Sequence, residues 1–570
     1  MNPTSSATRQ VKNKALISII ISAIIIRILL LKEAIYDDEA IWASLTTLPN
    51  PLWLNNVSNY HPPLSLWFYN FGVFLFGQHT MILRLVTVCI AIATIILTYV
   101  LAKKLYNTKV ATISVLIMSF SIYHIIASLR ITIGLFLVLF YLLTFYSFLS
   151  YEESKKNKWL LLTGFFFGCS IMTKYSAIYM LPVFGLYWLY KSNDLKQSFI
   201  ETTKIVFIGA LTFLIYPFLV FLRGDFDIII NTLTHAAHYQ IFGFHWVAPV
   251  MLMLWATPLL ICIPLLSVVK KNKKDMFLII WVACIFAINF VLIGRGDVGN
   301  FFFLIGRGDY VRYFMNLIPP LSILSAAVIS RLNIQYKHLP KIITVSAIFT
   351  VILFFINSIS VKYIPQVFSL YISEILKGNL NFFFSYTTSS GALFGTSALG
   401  IILTWGVCLI LTVAIIIKLR QKQKATFLLI LLIGIAFAFN LFLAQEYVFH
   451  TQHVDPSEAT YFAVDYFRDN NLQYPLYTNS EGIYYYLIPD YIFSDREHVI
   501  EAIPHGIGKY LEADNWYDKI TSTGGTVIIL NHPTVNKDRI AKLDNCDLLN
   551  TYESNDIDLL FIYSCDKDLV

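Results

Sequence analysis

The sequence predicts a polytopic α-helical membrane protein followed by a small polar α/β tail. Of its 570 residues, 57% are hydrophobic, 16% are aromatic and only 14% are charged, and the mean hydropathy is +0.65. Soluble domains carry roughly 25% charged residues. The apolar residues are gathered in runs, and a transmembrane helix needs about 20 of them. The composition therefore places most of the chain in a lipid bilayer.

About 13 apolar runs of suitable length precede residue 446. They lie near 15–32, 81–101, 110–128, 131–150, 159–173, 175–190, 205–222, 247–269, 276–294, 313–330, 342–361, 397–417 and 425–445. We expect each run to form one transmembrane helix, so that residues 1–445 make up the membrane domain.

Lysine and arginine residues mark one side of these predicted helices. Arg9, Lys12 and Lys14 precede the first, and a basic cluster follows every even-numbered one. This side carries about 23 basic residues against about 10 on the other, and cytoplasmic loops hold such an excess. The N-terminus is therefore predicted to be cytoplasmic in a multi-pass protein of the cell membrane. An odd number of helices places the first loop, 33–80, and the tail, 446–570, outside the cytoplasm. The net charge of +7 is explained by this topology, and nucleic acid is not an expected partner.

The tail, residues 446–570, has a different pattern. It predicts one helix, at 456–470, and three strands, at 474–477, 526–530 and 559–563. A small extracytoplasmic α/β domain is therefore expected. Of the seven cysteines in the chain, only Cys546 and Cys565 share a polar region. They are expected to pair if that region faces an oxidising compartment.

Three acidic residues directly follow the first predicted helix. Asp37, Asp38 and Glu39 stand where the chain leaves the bilayer, and ionisable groups at such a boundary are costly unless they are used. We predict that they form a catalytic centre in which Asp38 is the general base. The alternative interpretation is that they are solvated loop residues.

Cations accumulate on the same predicted outer side. They are Arg84, Arg130, Lys174, Arg223, Arg295, Arg307 and Arg312, and His61 lies in the first loop. Any one of them alone is as readily an anchor at the membrane interface. As a set they are unexpected, because basic residues normally accumulate on the cytoplasmic side. An anionic substrate would explain their presence, since arginine pairs bidentately with phosphate. A lipid-linked phosphate fits best, because its chain lies among helices while its head group meets the cations.

Two further patterns have simpler alternatives. His235 and His238 are spaced to share a metal on a helix, yet solvated loop histidines are commoner, so they are weak metal candidates. The aromatic stretch at 381–386 is typical of an interfacial aromatic belt.

The succession of motifs resembles the GT-C superfamily of membrane glycosyltransferases. The resemblance is greatest to the family 39 and 83 type, which comprises dolichyl-phosphate-mannose protein mannosyltransferases and bacterial lipid A aminoarabinose transferases. It covers roughly residues 15–335. The motifs that carry it are Asp38-Glu39, His61-Pro62-Pro63-Leu64, Phe76-Gly77, Arg84-Leu85, Thr173-Lys174-Tyr175-Ser176 behind Gly164 and Gly168, and Arg312-Tyr313 before Pro319-Pro320-Leu321.

This resemblance implies the GT-C fold and an inverting transfer of a sugar on the extracytoplasmic face. The donor would be a dolichyl- or undecaprenyl-phosphate sugar, and the acceptor a hydroxyl group of a protein, lipid or glycan. Asp38 matches the general base of the superfamily, with Asp37 as the adjacent alternative. Glu39 would orient the acceptor or coordinate a metal. The predicted donor-phosphate ligands are Arg312, Lys174, Arg84 and Arg130, and the predicted pocket residues are His61, Tyr313 and Tyr175.

One departure from the superfamily pattern bears on cofactors. Many members carry an acidic residue in the second outer loop, where this chain has Ser128-Leu129-Arg130-Ile131-Thr132. Chemistry without a metal is therefore the expectation, with a divalent metal ion as the alternative.

Two other functions compete with glycosyl transfer. A transporter or flippase for lipid-linked sugars would show ionisable residues or broken helices near the midplane, whereas the predicted helices hold almost no charge besides Arg27. A non-catalytic surface or assembly protein would use the tail as its active part.

Overall fold

The computed structural model describes most of the membrane part and the framework of the tail. The described residues are 3–29, 31, 34–35, 39–40, 42–43, 46, 62–77, 79–222, 224, 230, 247–269, 272–292, 314–332, 334, 336–359, 362–363, 368–386, 394–449, 456–472, 476–478, 483, 486–487, 524–530, 543, 545–554 and 557–566.

The membrane part is almost entirely helical. Its helices are α1 (Pro3–Leu29), α2 (Leu64–Phe76), α3 (Thr80–Leu105), α4 (Thr108–Ser119), α5 (Ile122–Leu129), α6 (Gly134–Ser154), α7 (Asn157–Thr173), α8 (Leu181–Ser192), α9 (Leu195–Phe213), α10 (Ile215–Leu222), α11 (Val247–Leu265), α12 (Met276–Leu292), α13 (Ile318–Arg331), α14 (Leu339–Ile359), α15 (Phe368–Leu376), α16 (Ala398–Arg420) and α17 (Thr426–Phe449). Short 3-10 helices span Tyr175–Met180, Leu266–Val268, Lys273–Asp275 and Tyr336–His338.

The predicted multi-pass membrane fold is confirmed, and each of the 13 apolar runs is largely helical. In the described part, eight helices are long and apolar enough to cross a bilayer, or nine if α4 and α5 together count as one span. Helices α6 and α13 are buried along most of their length, whereas α14 and α16 expose large apolar side chains on one face. The bundle thus has a protein-packed centre and a lipid-facing periphery.

The expectation of one continuous helix over 110–128 is wrong. The chain bends by 61° between α4 and α5, although no proline or glycine stands there. Side chains from distant helices take up the freed backbone groups. Asn440 of α17 accepts a hydrogen bond from the Ile122 N–H at 3.1 Å and donates to the Phe120 carbonyl oxygen. Irregular backbone at membrane depth is tolerated where it is buried in protein in this way.

The first outer loop, 33–80, contains a helix that the sequence analysis did not predict. Helix α2 follows Pro62-Pro63 and ends at Gly77, whose φ of 85° suits glycine. Phe71 and Phe74 on its outer face are 61% and 83% exposed, whereas Tyr69 on the opposite face is buried. Helix α2 therefore exposes aromatic side chains on one face and packs its other face inside the protein.

Helices α7 and α9 approach closely through small residues. A Cβ atom built at Gly168 would lie 2.6 Å from the Gly209 carbonyl oxygen, and one built at Gly164 would lie 2.4 Å from Ile208 Cβ. Small residues allow helices to pack tightly where no water drives them together. The two glycines therefore fix the position of α7, which ends directly before Lys174.

Between α14 and α16 lies a small three-stranded sheet of β1 (Lys362–Tyr363), β2 (Phe382–Tyr386) and β3 (Phe394–Ser397). Strand β1 is parallel to β2, and β3 is antiparallel to it. Phe382 is 0% exposed and Phe383 is 5% exposed. The interpretation of 381–386 as an interfacial aromatic belt is therefore wrong at these two residues, because they pack inside the protein.

The described residues of the tail form one helix and a four-stranded sheet. The elements are α18 (Pro456–Asp469), β4 (Leu476–Thr478), β5 (Gly525–Leu530), β6 (Asp547–Ser554) and β7 (Ile557–Cys565). The strand order is β4-β5-β7-β6, with β4 parallel to β5 and the other pairs antiparallel. Strand β6 was not predicted from the sequence. Cys546 and Cys565 form a disulfide that joins the start of β6 to the end of β7.

Candidate active site

The carboxylate of Glu39 lies at the centre of a buried cluster of charges and is only 1% exposed. Its Oε2 atom accepts hydrogen bonds from Arg84 Nη2 and Arg130 Nη1, both at 3.0 Å. Its Oε1 atom accepts from the Ile131 backbone N–H at 2.8 Å and from Arg84 Nε at 3.4 Å. We call these three side chains, Glu39, Arg84 and Arg130, the outer charge centre. Both oxygens of the carboxylate are thus already engaged by donors.

Arg84 also holds the backbone of the chain that leads to the acids. Its Nη1 and Nη2 atoms donate to the carbonyl oxygens of Leu31 and Ala34, at 3.3 Å and 2.8 Å. This side chain is 1% exposed and projects from the first turns of α3. One guanidinium group therefore fixes the chain both before and after Tyr36-Asp37-Asp38, since it contacts Ala34 and Glu39.

The second outer loop is held in the same place by a tyrosine of α2. The Tyr69 hydroxyl donates to the Thr132 carbonyl oxygen at 3.0 Å and accepts from the Thr132 N–H at 2.9 Å. It also lies 2.8 Å from Thr87 Oγ1 of α3. Together with the bonds from Arg130 and Ile131 to Glu39, these contacts join three separate segments of the chain. Tyr69 has no signal in the sequence beyond its place in an aromatic helix.

The outer charge centre does not fit a divalent metal ion. A metal ion bound to either oxygen of the Glu39 carboxylate would have to displace donors that already occupy that oxygen, and it would lie beside the positive charges of Arg84 and Arg130. In the part of the chain that the structure describes, no group of three or more His, Cys, Asp or Glu residues is placed to hold a metal. No step of the chemistry is therefore derived through a metal ion at Glu39.

Lys174 and Tyr175 lie on another turn, between α7 and the 3-10 helix that follows it. Lys174 is half-buried, and its backbone N–H donates to the Ser170 carbonyl oxygen at 2.9 Å. The Tyr175 ring packs edge-on against Phe213 of α9, with the centroids 6.2 Å apart. Their predicted contacts with a donor substrate stay predictions.

The remaining predicted site residues lie outside the described part of the chain. They are Asp37, Asp38, His61, Arg312, Tyr313, His235 and His238. Their roles stay predictions as well. So does the predicted role of Arg84 and Arg130 as phosphate ligands, although both side chains are already in contact with Glu39.

A further buried cation lies deeper in the bundle. Arg27 of α1 is 0% exposed, and its Nη2 atom donates to the Ser119 carbonyl oxygen at 3.1 Å and to His124 Nδ1 at 2.9 Å. Because Nδ1 accepts from an arginine, the imidazole is neutral and its Nε2 donates to Thr94 Oγ1 at 3.0 Å. We call Arg27, His124 and Thr94 the inner polar centre. It lies beside the bend between α4 and α5.

The helical bundle, with its buried charges beside the loops, defines a multi-pass membrane protein. Residues 60–221 match the family model described as dolichyl-phosphate-mannose-protein mannosyltransferase. This segment includes His61, Arg84, Arg130 and Lys174 and begins shortly after the three acids. No curated protein matches the sequence.

Two solved structures of ArnT from Cupriavidus metallidurans are similar to the chain over nearly its whole length. The apo structure has 15% sequence identity and a TM-score of 0.60, and the match covers 99% of each chain. The structure bound to undecaprenyl phosphate also has 15% identity and a TM-score of 0.60, and the match covers 97% of this chain and 98% of that one. At this identity the likeness establishes the fold, which is the GT-C fold that the resemblance of the motifs predicted.

Proposed function

We propose that the protein is an inverting glycosyltransferase that moves a sugar from a polyprenyl-phosphate donor to an acceptor hydroxyl group on the extracytoplasmic face of the membrane. The observation that carries this proposal is the outer charge centre, because it holds a buried carboxylate directly beside Asp37 and Asp38. Evidence of another kind comes from the fold. It is shared with ArnT, which has been solved with undecaprenyl phosphate bound, and the family model names a dolichyl-phosphate-mannose donor.

The three acidic residues have different roles in this proposal. Glu39 is buried and accepts four hydrogen bonds, so we assign it the role of positioning the loop and not of touching a substrate. Asp38 is then the general base, and Asp37 remains the adjacent alternative. A carboxylate that accepts a proton must come within hydrogen-bond reach of the acceptor hydroxyl, and a hydroxyl could reach Glu39 only by displacing donors of the protein from a buried side chain.

The proposed step forms one bond at the anomeric carbon, breaks another there and transfers one proton. The acceptor oxygen attacks the anomeric carbon of the sugar from the face opposite the phosphate, and its proton passes to the Asp38 carboxylate. The bond between the anomeric carbon and the phosphate oxygen breaks, so that polyprenyl phosphate leaves with its electron pair. Negative charge grows on the phosphate as this happens, and cations placed there stabilise the transition state. Lys174 and Arg312 are the proposed partners of that charge.

Two observations support the extracytoplasmic side for this reaction. The basic clusters lie on the opposite side of the predicted helices, as in cytoplasmic loops. The tail also contains the Cys546–Cys565 disulfide, and disulfides persist in oxidising compartments outside the cytosol.

Reconstitution of the purified protein in liposomes tests the proposal against the transporter alternative. A panel of radiolabelled polyprenyl-phosphate hexoses and pentoses would be supplied together with solubilised protein, lipid and glycan acceptors from the host cell. We expect a new glycosidic bond with the anomeric configuration opposite to that of the donor. Movement of the labelled lipid across the bilayer without any new bond would instead identify a flippase.

A further inference from the structure

The tail contacts the segment that precedes the acids through the side chain of Tyr486. Its hydroxyl oxygen accepts a hydrogen bond from the backbone N–H of Ile35 at 3.2 Å, across 451 positions of sequence. Ile35 is 0% exposed, so this N–H has no access to water in place of the tyrosine. A buried backbone donor that loses its partner is costly. The contact therefore ties the first outer loop to the tail.

The peptide group that joins Ala34 to Ile35 accepts and donates one hydrogen bond each, to two different parts of the protein. The carbonyl oxygen of Ala34 and the N–H of Ile35 belong to one planar unit. Arg84 Nη2 donates to that carbonyl at 2.8 Å, while Tyr486 accepts from that N–H. The peptide plane is thus fixed by one residue of the membrane part and one residue of the tail.

This peptide group stands just before the residues proposed to do the chemistry. Only Tyr36, Asp37 and Asp38 separate Ile35 from Glu39, and Glu39 is bound by the same Arg84 side chain. A segment of three residues with both ends fixed has a short reach, at most about 3.6 Å for each residue. Rotation of the Ala34–Ile35 peptide would therefore change where the two aspartates are presented.

Tyr486 is itself firmly placed. Its side chain packs against the hydrophobic core of the membrane part and against the core formed by α18, β4, β5 and β7. Its ring lies against Tyr461 of α18, with the centroids 5.7 Å apart, and Arg468 Nη2 donates to its carbonyl oxygen at 2.8 Å. Burial and the hydrogen bond with Tyr461 raise the pKa of the Tyr486 hydroxyl. It therefore stays neutral at physiological pH.

We propose that Tyr486 is a positioning residue of the proposed active site. Through its hydroxyl group the tail sets the orientation of the Ala34–Ile35 peptide, and with it the presentation of Asp37 and Asp38. The tail thereby becomes part of the active-site scaffold. The kinetic consequence rests on the proposed glycosyl transfer, whereas the positioning itself is a structural property that can be measured without any substrate.

Hydrogen exchange of the full-length protein in detergent micelles tests this assignment. Tyr486→Phe removes only the hydroxyl group and leaves the ring in both cores. We expect the amides of the peptide covering residues 31–46 to exchange about tenfold faster in this variant, because a buried N–H has lost its acceptor. The melting temperature should change little, since the packing of the ring is retained and one hydrogen bond contributes only about 1 kcal/mol to the stability of the whole fold.

Tyr552→Phe is the matched control. The Tyr552 hydroxyl bonds to Glu458 at 2.9 Å within the tail, so its loss should leave exchange over 31–46 at the wild-type rate. Equal exchange in Tyr486→Phe and the wild type would overturn the proposal.

Where glycosyl transfer is detected, Tyr486→Phe should lower kcat and leave the KM for the donor unchanged. Faster exchange in a protein whose wild type transfers no sugar would retain the positioning role and reject the proposed function.

Discussion

The outer charge centre and the inner polar centre both bury an arginine, yet they satisfy it in different ways. Arg84 is 1% exposed and faces the carboxylate of Glu39. Arg27 is 0% exposed, and the hydrogen bonds described for it go to the carbonyl oxygens of Ala23 and Ser119 and to the imidazole of His124. The outer arginine is compensated by an opposite charge, whereas the inner one is solvated by neutral acceptors.

The two centres also differ in depth. Thr94 of the inner centre lies ten residues beyond Arg84 along α3, which corresponds to about 15 Å at 1.5 Å per residue. At that depth Arg27 binds the Ser119 carbonyl oxygen where α4 ends, and so stabilises the bend before α5. The outer centre instead gathers the segments on either side of the acidic loop. We infer that the inner centre maintains the fold of the bundle, while the outer centre shapes the proposed active site.

Breaking the outer centre should have the larger effect. Glu39→Gln removes the negative charge that faces two buried guanidinium groups, and loss of one partner from a buried ion pair costs about 3–5 kcal/mol. We expect a large fall in the melting temperature of the detergent-solubilised protein, followed by differential scanning fluorimetry, together with loss of activity. Glu153→Gln is the control, because Glu153 is 63% exposed and pairs with Lys104 at the surface. A Glu39→Gln protein as stable as this control would show that the outer centre is not held together by charge.

Replacing the inner arginine should have a smaller effect. Arg27→Met keeps an apolar side chain of similar length and leaves no charged partner unpaired. The cost is then the loss of the hydrogen bonds to Ala23, Ser119 and His124, about 1–3 kcal/mol. The same thermal assay should rank Arg27→Met between Glu153→Gln and Glu39→Gln. If Arg27→Met were less stable than Glu39→Gln, neutral hydrogen-bond acceptors would not be a sufficient description of the surroundings of Arg27. The inner polar centre would then bind an anion or have a second function.

The parts of the fold that could be predicted from the sequence are those determined by residues close together in the chain. The apolar runs predicted the helices, because each helix owes its place in the membrane to its own composition. Helix α2 was missed since its 13 residues are too few to span a bilayer, and it lies in a stretch that reads as a loop. The bend between α4 and α5 was missed because its partner Asn440 is 318 positions from Ile122, so no local pattern records it.

The sequence predicted that a cluster of charged side chains forms the candidate site, but not which of these side chains contact each other. Acids and cations on one side of the membrane indicated a charged centre, and Glu39, Arg84 and Arg130 do meet. The sequence did not predict that both arginines contact the protein's own carboxylate, and their binding of an external phosphate stays a prediction. These contacts depend on how α3 and the second outer loop pack around Leu31 and Ala34. The contact with Tyr486 likewise depends on the docking of the tail.

The central claim is that Asp38 performs the chemistry while Glu39 positions the loop. The most direct measurement is the turnover of polyprenyl-phosphate sugar by Asp38→Asn, with its melting temperature recorded in the same preparation. A general base contributes about 10²–10⁴-fold to the rate. If Asp38 is the general base, Asp38→Asn should lose activity by that factor and melt as the wild type does. Wild-type turnover by Asp38→Asn would show that another group accepts the proton.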